Sequence, residues 1–380
     1  MSILGELMQI NKYNIIIIGA GPAGLSAAGQ AAKSDQVNNL QQPSYLLLEA
    51  FSEPAKTIYQ YQKGKDVMYE PGFLNLRSPF DFTACKREEV LSSWQKSIDS
   101  LSLNIKFNAE VKSITGEFPN FEIKLISGEV FQSENVVLSI GLQGNPRKLG
   151  VKGDSESAFL QYTLDDPDNY NEKTVIVVGA GDAAIENALG LVKNNQVHIV
   201  NRRNEFSRAK DGNLNAILKA INDKSVSLTC HYNSSVESIS LPDANQSSGA
   251  IQLNTPDGLQ NIDCDLIIAR LGAIAPRRFV ESAGIKFPNE KIESIPDLDN
   301  HYQSNVKGLY IIGALGGYPL IKQAMNQGHD VVEFIHGKNI KPADHPLLEQ
   351  QFSLLPYVMD AQEVLELYQQ RVPMFRRMNA

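Results

Sequence analysis

The chain of 380 residues contains only three cysteines, Cys85, Cys230 and Cys264, widely separated in sequence. That excludes a disulfide-rich scaffold and a Cys-x-x-Cys redox couple, and it fits a reducing compartment. No apolar run reaches the roughly 18 residues that a membrane-spanning helix needs. Basic residues are not in excess: 35 Lys and Arg stand against 43 Asp and Glu, for a net charge of −8. This balance argues against a nucleic-acid binder. Residues 1–12 are mixed in character, and the apolar stretch after them is broken by Gly and Pro, so no secretory leader is expected and the cytoplasm is the expected location. The rest is ordinary: 42% hydrophobic, 21% charged, and long enough for two or three domains.

What the chain does have is one phosphate-binding device, twice. Gly19-Ala-Gly21-Pro22-Ala23-Gly24 follows the apolar run Ile15–Ile18, and Gly179-Ala-Gly181-Asp182-Ala183-Ala184 follows Val175–Val178. Each reads as a buried strand, a tight glycine turn and the start of an Ala-rich helix, the context this motif requires. The first glycine takes a backbone conformation closed to other residues, the second lets the main chain approach a pyrophosphate, and the third lets helix and strand pack closely. Amides and dipole at the helix N-terminus then hold the phosphates. Two copies imply two dinucleotides and electrons moving between them.

The ends of the second strands differ. Tyr45–Leu48 reads as a strand ending in Glu49, where an acid binds ribose hydroxyls; the bland alternative is an exposed strand-end glutamate. Gln196–Val200 ends instead in Asn201-Arg202-Arg203, with Arg208 and Lys210 nearby. Forked, permanently charged donors suit a 2′-phosphate and hence NADPH; the alternative is a solvated basic turn.

Residues 51–85 are loop-rich, and 85–98 read as an amphipathic helix. Short strands are expected at 104–107, 111–114, 121–126, 129–131 and 135–140, with a hairpin turn at Gly128. Residues 144–152 and 270–278 read as crossovers. Between them lie strands at 227–230, 251–254 and 263–269. A strand at 309–312 and a helix at 320–335 follow. The simplest arrangement is α/β, with two nested Rossmann-like, three-layer ββα domains. The first takes residues 1–150 and 273–340, the second 151–272, and 341–380 form a helical extension.

These residues resemble the pyridine-nucleotide–disulfide oxidoreductase superfamily, closest in layout to thioredoxin-reductase-like flavoproteins. The marks are Gly19–Gly24 with Glu49, Ser139-Ile-Gly141, Gly179–Ala184 with Glu186, Asn201-Arg-Arg203 and Gly308-Leu-Tyr-Ile-Ile-Gly313. Asp182–Asn187 and Tyr318–Gln327 are similar to a subgroup often fused to a cyclic-nucleotide-binding-like domain. The resemblance covers about residues 13–340. It implies FAD on the first unit, at Gly19, Gly21, Pro22, Ala23, Gly24, Glu49, Ala50, Gly141, Gly313, Ala314, Gln323 and Ala324. It implies NADPH on the second, at Gly179, Gly181, Asp182, Ala183, Ala184, Asn201, Arg202, Arg203 and Arg208. A homodimer is also implied. Two departures stand out. The region that carries the family's cysteine pair reads Gln161–Tyr170 without cysteine, and Ala314 stands where the family usually has an Asp bonded to the ribityl chain.

Several residues carry two readings. Cys85, ahead of a helix, is either a thiol with a lowered pKa or a partly buried apolar residue. Arg77 faces a flavin or substrate, or is a surface arginine; Tyr59, Tyr61 and Lys63 share that choice. Cys230 and Cys264 read as core, His231 beside Cys230 makes no metal site by itself, and His329 reads as a solvated helix face. Past Lys341, an amphipathic helix with Asp360 at its N-cap, Glu363, and Val364, Leu365, Tyr368 and Val372 on one face reads either as the opening of a further domain or as a docking tail.

The expected activity is hydride transfer from NADPH to flavin, with no side-chain acid or base assigned. Electrons then pass directly to a partner: an iron–sulfur or other redox protein first, a quinone or small disulfide second. A flavin monooxygenase ranks lower, because residues 142–170 lack the His of its signature. A redox-sensing regulatory module is the reading of another class.

Overall fold

The computed structural model describes residues 12–142, 146–155, 157–242, 248–291 and 294–345. The helices expected over 341–380, with Asp360 to Val372, lie outside them apart from the first few positions. The chain opens with β1 (Lys12–Ile18), α1 (Pro22–Val37), β2 (Tyr45–Leu48), α2 (Lys56–Tyr59), β3 (Asp66–Val67), β4 (Cys85–Lys86) and α3 (Arg87–Ser100). Next come β5 (Ile105–Lys106), β6 (Val111–Glu117), β7 (Asn120–Leu125) and β8 (Val130–Leu138). The middle holds β9 (Leu160–Gln161), β10 (Thr174–Val178), α4 (Asp182–Leu191), β11 (Gln196–Val200), α5 (Asp211–Asn222) and β12 (Leu228–His231). It continues through β13 (Ser235–Ser240), β14 (Gly249–Thr255), β15 (Gly258–Cys264) and β16 (Leu266–Ala269). Last are α6 (Arg277–Ser282), β17 (Leu309–Ile311) and α7 (Ile321–Ile335).

Two compact units result: Met1–Tyr59, Asp66–Gly144 and Ala275–Ala380 in one, Gln60–Lys65 and Asn145–Ile274 in the other. In the first, parallel strands run β5-β2-β1-β8, and β17 pairs β8 alongside the antiparallel β7 and β6. Ile15–Ile18 align with Tyr45–Leu48 on one side and with Asn135–Leu138 on the other. Ile16, Ile18, Leu46 and Leu48 pack on Phe121, Ile123 and Leu125 of the antiparallel strands. Ile15, Ile17 and Leu47 alternate to the opposite face and are equally sealed, on the side where α1 packs. Strands buried on both faces explain the unbroken apolar runs. Helices α1 and α7 cross with almost no space between them. A Cβ at Gly328 would lie 2.1 Å from the Ala23 carbonyl oxygen, so glycine is required there. Ser26 Oγ donates to Met325 O at 2.6 Å across the same crossing.

The second unit repeats the plan. Parallel strands run β12-β11-β10-β16-β9, and β13-β14-β15 form an antiparallel meander. Val175, Val177, Ile199 and Ile268 pack with Ala184, Ile185 and Leu191 of α4. Ile176, Val178 and Ile267 pack with Ile251 and Leu253 of the meander. Both units are therefore three-layer ββα nucleotide folds.

Several local expectations need correction. The segments at 129–131 and 135–140 are one strand, β8, because Ser133 is buried and its hydroxyl donates to Asn135 O at 2.6 Å. The 263–269 segment is two strands of different sheets, separated at Asp265, whose Oδ2 accepts Thr174 N at 2.8 Å. Cys85 belongs to the two-residue strand β4, and the helix begins at Arg87.

Candidate functional site

In the first unit the turn after β1 holds Gly19 at φ +100°, where a Cβ would lie 2.8 Å from Ser139 O; Gly21 is the N-cap of α1 and Pro22 its first residue. The Ser139 hydroxyl lies 2.7 Å from Gly19 O and 2.8 Å from Ile18 O, fixing the turn to the end of β8. Glu49 is buried. Its Oε2 accepts Ala20 N at 2.6 Å and its Oε1 accepts Phe51 N at 3.1 Å. Burial holds its carboxyl above the ordinary range, against the pull of these amides and of Lys56. Ala23, Gly313 and Ala324 converge: a Cβ on Gly313 would meet the Ala23 Cβ at 3.2 Å and the Ala324 Cβ at 3.8 Å. The side chain of Gln327 accepts Gly313 N at 2.7 Å. Ala314 follows in a short 3₁₀ turn. Ala50 and Gly141 lie at the same strand ends, after Glu49 and Ser139.

Gln323 stands apart. It lines a cavity of about 10 Å³ with Leu74, Tyr302, Tyr318 and Gln327, room for about one water. Lys322 is fully enclosed, and its Nζ has no hydrogen-bond partner among the described residues. The first-unit residues fit a flavin dinucleotide: a bare amide turn at a helix N-terminus, a ribose-side carboxylate, and a buried donor still lacking an acceptor.

In the second unit Gly179 has φ +137°, and a Cβ there would lie 2.4 Å from Arg270 O. Gly181 is the N-cap of α4, Ala183 follows Asp182 in its first turn, and Ala184 is buried on β10. Asp182 turns away from the anion position: its Oδ1 accepts Lys210 N at 2.9 Å and Asn213 Nδ2 at 2.8 Å, which tethers the start of α5. Asn201 is buried and shapes the following loop, accepting Arg203 N at 3.0 Å and donating to Glu205 O at 3.0 Å. That loop exposes Arg202, Arg203 and Arg208. Arg203 Nη1 donates to Ser207 Oγ at 3.0 Å. The cationic edge is therefore built, with Asn201 as its frame.

Sequence reasoning missed the segment Gln60–Lys65, which belongs to the second unit. Gln62 Oε1 accepts Asn187 Nδ2 at 3.0 Å, and Lys65 pairs with Glu186. Lys63 pairs with Asp166 at 2.8 Å. Tyr61 is pushed up by burial and by Glu186, and burial lowers Arg270 against the same carboxylate. No local signal marks this cluster, since its partners come from α4, from Arg270 just past β16 and from Asp166, all distant in sequence. Arg77 is structural: it donates to the sealed Asp330 at 2.9 Å and to Lys341 O at 2.8 Å. His329 Nδ1 lies 3.0 Å from the same carboxylate and is only part-exposed.

The cysteines carry no relay. All three are free; burial pushes Cys230 up to about 11 and Cys264 up to about 12. Cys85 is also raised, by burial and by Glu89, the direction of the partly buried apolar reading rather than of an activated thiol. No group of three metal-ligating side chains occurs among the described residues. Among the same residues, no helix is long and apolar enough to cross a membrane.

Two dinucleotide folds, one with Glu49 at the end of its second strand and one with Arg202 and Arg203 in that place, define a flavoprotein oxidoreductase that takes a nicotinamide cofactor. Residues 16–313 match the family model of pyridine nucleotide-disulphide oxidoreductases, and the chain belongs to that family. It is an NAD(P)H-dependent flavoprotein oxidoreductase, of a family whose members use FAD and NADPH. The ferredoxin–NADP reductase of Ligilactobacillus salivarius is 25% identical over 353 residues, covering 87% of this chain and 94% of that protein. The ferredoxin–NADP reductase of Flavobacterium johnsoniae is 26% identical over 327 residues, covering 81% and 83%. The bacillithiol disulfide reductase of Staphylococcus aureus superposes with a TM-score of 0.74 at 19% identity, covering 87% of this chain and all of that one. The thioredoxin reductase of Lactococcus lactis gives 0.69 at 20%, covering 86% and 98%. These two structural likenesses concern the fold.

Proposed function

We propose that this chain is an NADPH-dependent reductase of an iron–sulfur electron carrier, acting without a thiol relay. The observation that carries the reading is the pairing of two dinucleotide turns with three isolated, raised-pKa cysteines. The ferredoxin–NADP reductase names borne by the relatives that match most of this chain support it.

FAD, when bound, accepts a two-electron hydride and can return the electrons singly. The chain's own residues do the holding. In this reading the amides of Gly19 to Gly24 and the dipole of α1 hold the FAD pyrophosphate, and Glu49 accepts from the ribose hydroxyls. Ala50, Gly141, Gly313, Ala314 and Ala324 flank its path at the strand ends. Gly179 to Ala184 hold the NADPH pyrophosphate, and Arg202, Arg203 and Arg208 take the 2′-phosphate. Asn201 orients the arginine loop, and Asp182 keeps α5 in place beside it. Without a dithiol, the acceptor must meet the flavin directly. The active form in this reading is a cytoplasmic homodimer, checked by light scattering of the holoprotein.

The test is anaerobic stopped-flow of the FAD-loaded protein. NADPH should bleach the visible flavin absorbance within seconds, and an oxidised ferredoxin should restore it. A flavin that stays oxidised, or one reoxidised only by a disulfide, refutes the reading.

A further inference from the structure

The loop that exposes Arg202, Arg203 and Arg208 is anchored at three places, all within the second unit. At its start Asn201 is buried and accepts Arg203 N at 3.0 Å, while Asn201 O accepts Ser234 N at 3.0 Å from the turn after β12. In its middle Phe206 is buried and meets the Tyr232 ring edge-on, with centroids 5.9 Å apart. At its end Lys210 N donates to Asp182 Oδ1 at 2.9 Å. The first two anchors come from the loop itself and the turn beside it. The third comes from the first residue of α4, next to the glycine turn.

The third anchor is reinforced from α5. Asn213, in the first turn of that helix, donates through Nδ2 to Asp182 Oδ1 at 2.8 Å and to Glu186 Oε1, one turn along α4, at 3.3 Å. Lys210 is the N-cap of α5 and makes no side-chain cap bond, so the Asp182 carboxylate takes the place of a capping side chain. An acid at a helix start is also favoured by the helix dipole. Residues 207–210 are thus stretched between buried Phe206 and this latch. Released at Lys210, they would pivot about Phe206 and carry Arg208 and Ser207 with them. Ser207 Oγ is the acceptor that holds Arg203 Nη1 at 3.0 Å. The rest of α5 would stay seated through Ile217, which is sealed in the core.

We propose that the Asp182–Asn213 latch sets the selectivity for a 2′-phosphate. Both are positioning residues, whose side chains fix the arginine loop and do not touch the nucleotide. The proposal rests on the NADPH reading above. Forked guanidinium donors discriminate only where they are held in one geometry. A loop bonded to the residue that follows the glycine turn presents its arginines at a fixed offset from that turn. The ordering that 2′-phosphate binding demands is then made before the ligand arrives.

The test is calorimetric titration of the protein with adenosine 2′,5′-bisphosphate and with 5′-AMP, which needs no turnover, and it reads the ratio of the two dissociation constants. Wild type should favour the bisphosphate. Asp182→Ala should cut that preference about tenfold, and so should Asn213→Asp, which sets a third carboxylate against Asp182 and Glu186. Asp182→Asn keeps an acceptor oxygen for both donors and should keep the preference within about threefold. In an Arg202→Gln/Arg203→Gln/Arg208→Gln background, Asp182→Ala should change the ratio no further. A ratio for Asp182→Ala equal to that of wild type overturns the proposal. So does an equal weakening of both ligands, which marks a merely structural role. If Asp182→Ala does not fold, Asn213→Ala carries the same comparison with the same two outcomes. A wild type that binds both ligands equally refutes the NADPH reading itself.

Discussion

Glu49 and Ala20 are joined by a 2.6 Å hydrogen bond from the turn amide to a buried carboxylate, so the acid proposed to bind the ribose also braces the turn proposed to bind the pyrophosphate. Glu49→Ala removes both functions. FAD affinity should fall by roughly tenfold to a hundredfold, the scale of one hydrogen bond to a charged group. Titration of apoprotein with FAD, followed by flavin fluorescence, measures it. An affinity within twofold of wild type would separate Glu49 from the cofactor.

Arg202 and Arg203 stand exposed at the end of β11, framed by Asn201. The double change Arg202→Gln and Arg203→Gln should raise the NADPH KM by about tenfold or more and leave the NADH KM nearly unchanged, because only one cofactor carries the 2′-phosphate. Steady-state kinetics with both nucleotides decides it. An equal effect on both would remove the 2′-phosphate argument.

His198 and His231 share a 3.0 Å contact between ring nitrogens on neighbouring strands β11 and β12. Burial lowers both, and for His198 the neighbouring imidazole lowers it further. Their folded pKa values thus lie below the unfolded value of about 6.5. In that window the unfolded chain binds more protons, so stability is fully present above about pH 6.5 and falls as pH drops toward the folded pKa values. Denaturant unfolding of His198→Asn/His231→Asn should show a shallower loss between neutral and mildly acidic pH than wild type. Parallel pH profiles would contradict this.

The glycine turns were legible because they are local: a strand, a fixed spacing and a helix start lie in one stretch of chain. Glu49 and the arginine loop followed from the strand ends. Strand β8 was not legible as one element. Its first half alternates beside antiparallel β7, and its second half is continuously apolar between β1 and β17, so it reads as two. Strand β13, Ser-Val-Glu-Ser-Ile-Ser, is mostly polar because one face of the meander is open to water, so its sequence carries little strand signal. The Gln62–Asn187 and Lys65–Glu186 pairs join residues more than 100 positions apart, and no periodicity reports such a contact.

In the proposed reaction electrons leave the flavin for an iron–sulfur acceptor without passing through a thiol. Its most direct test is the rate of NADPH-driven ferredoxin reduction by the FAD-loaded triple variant Cys85→Ala, Cys230→Ala, Cys264→Ala. The expected rate per bound flavin is indistinguishable from wild type. Flavin that NADPH still reduces but that no longer passes electrons to ferredoxin would contradict it.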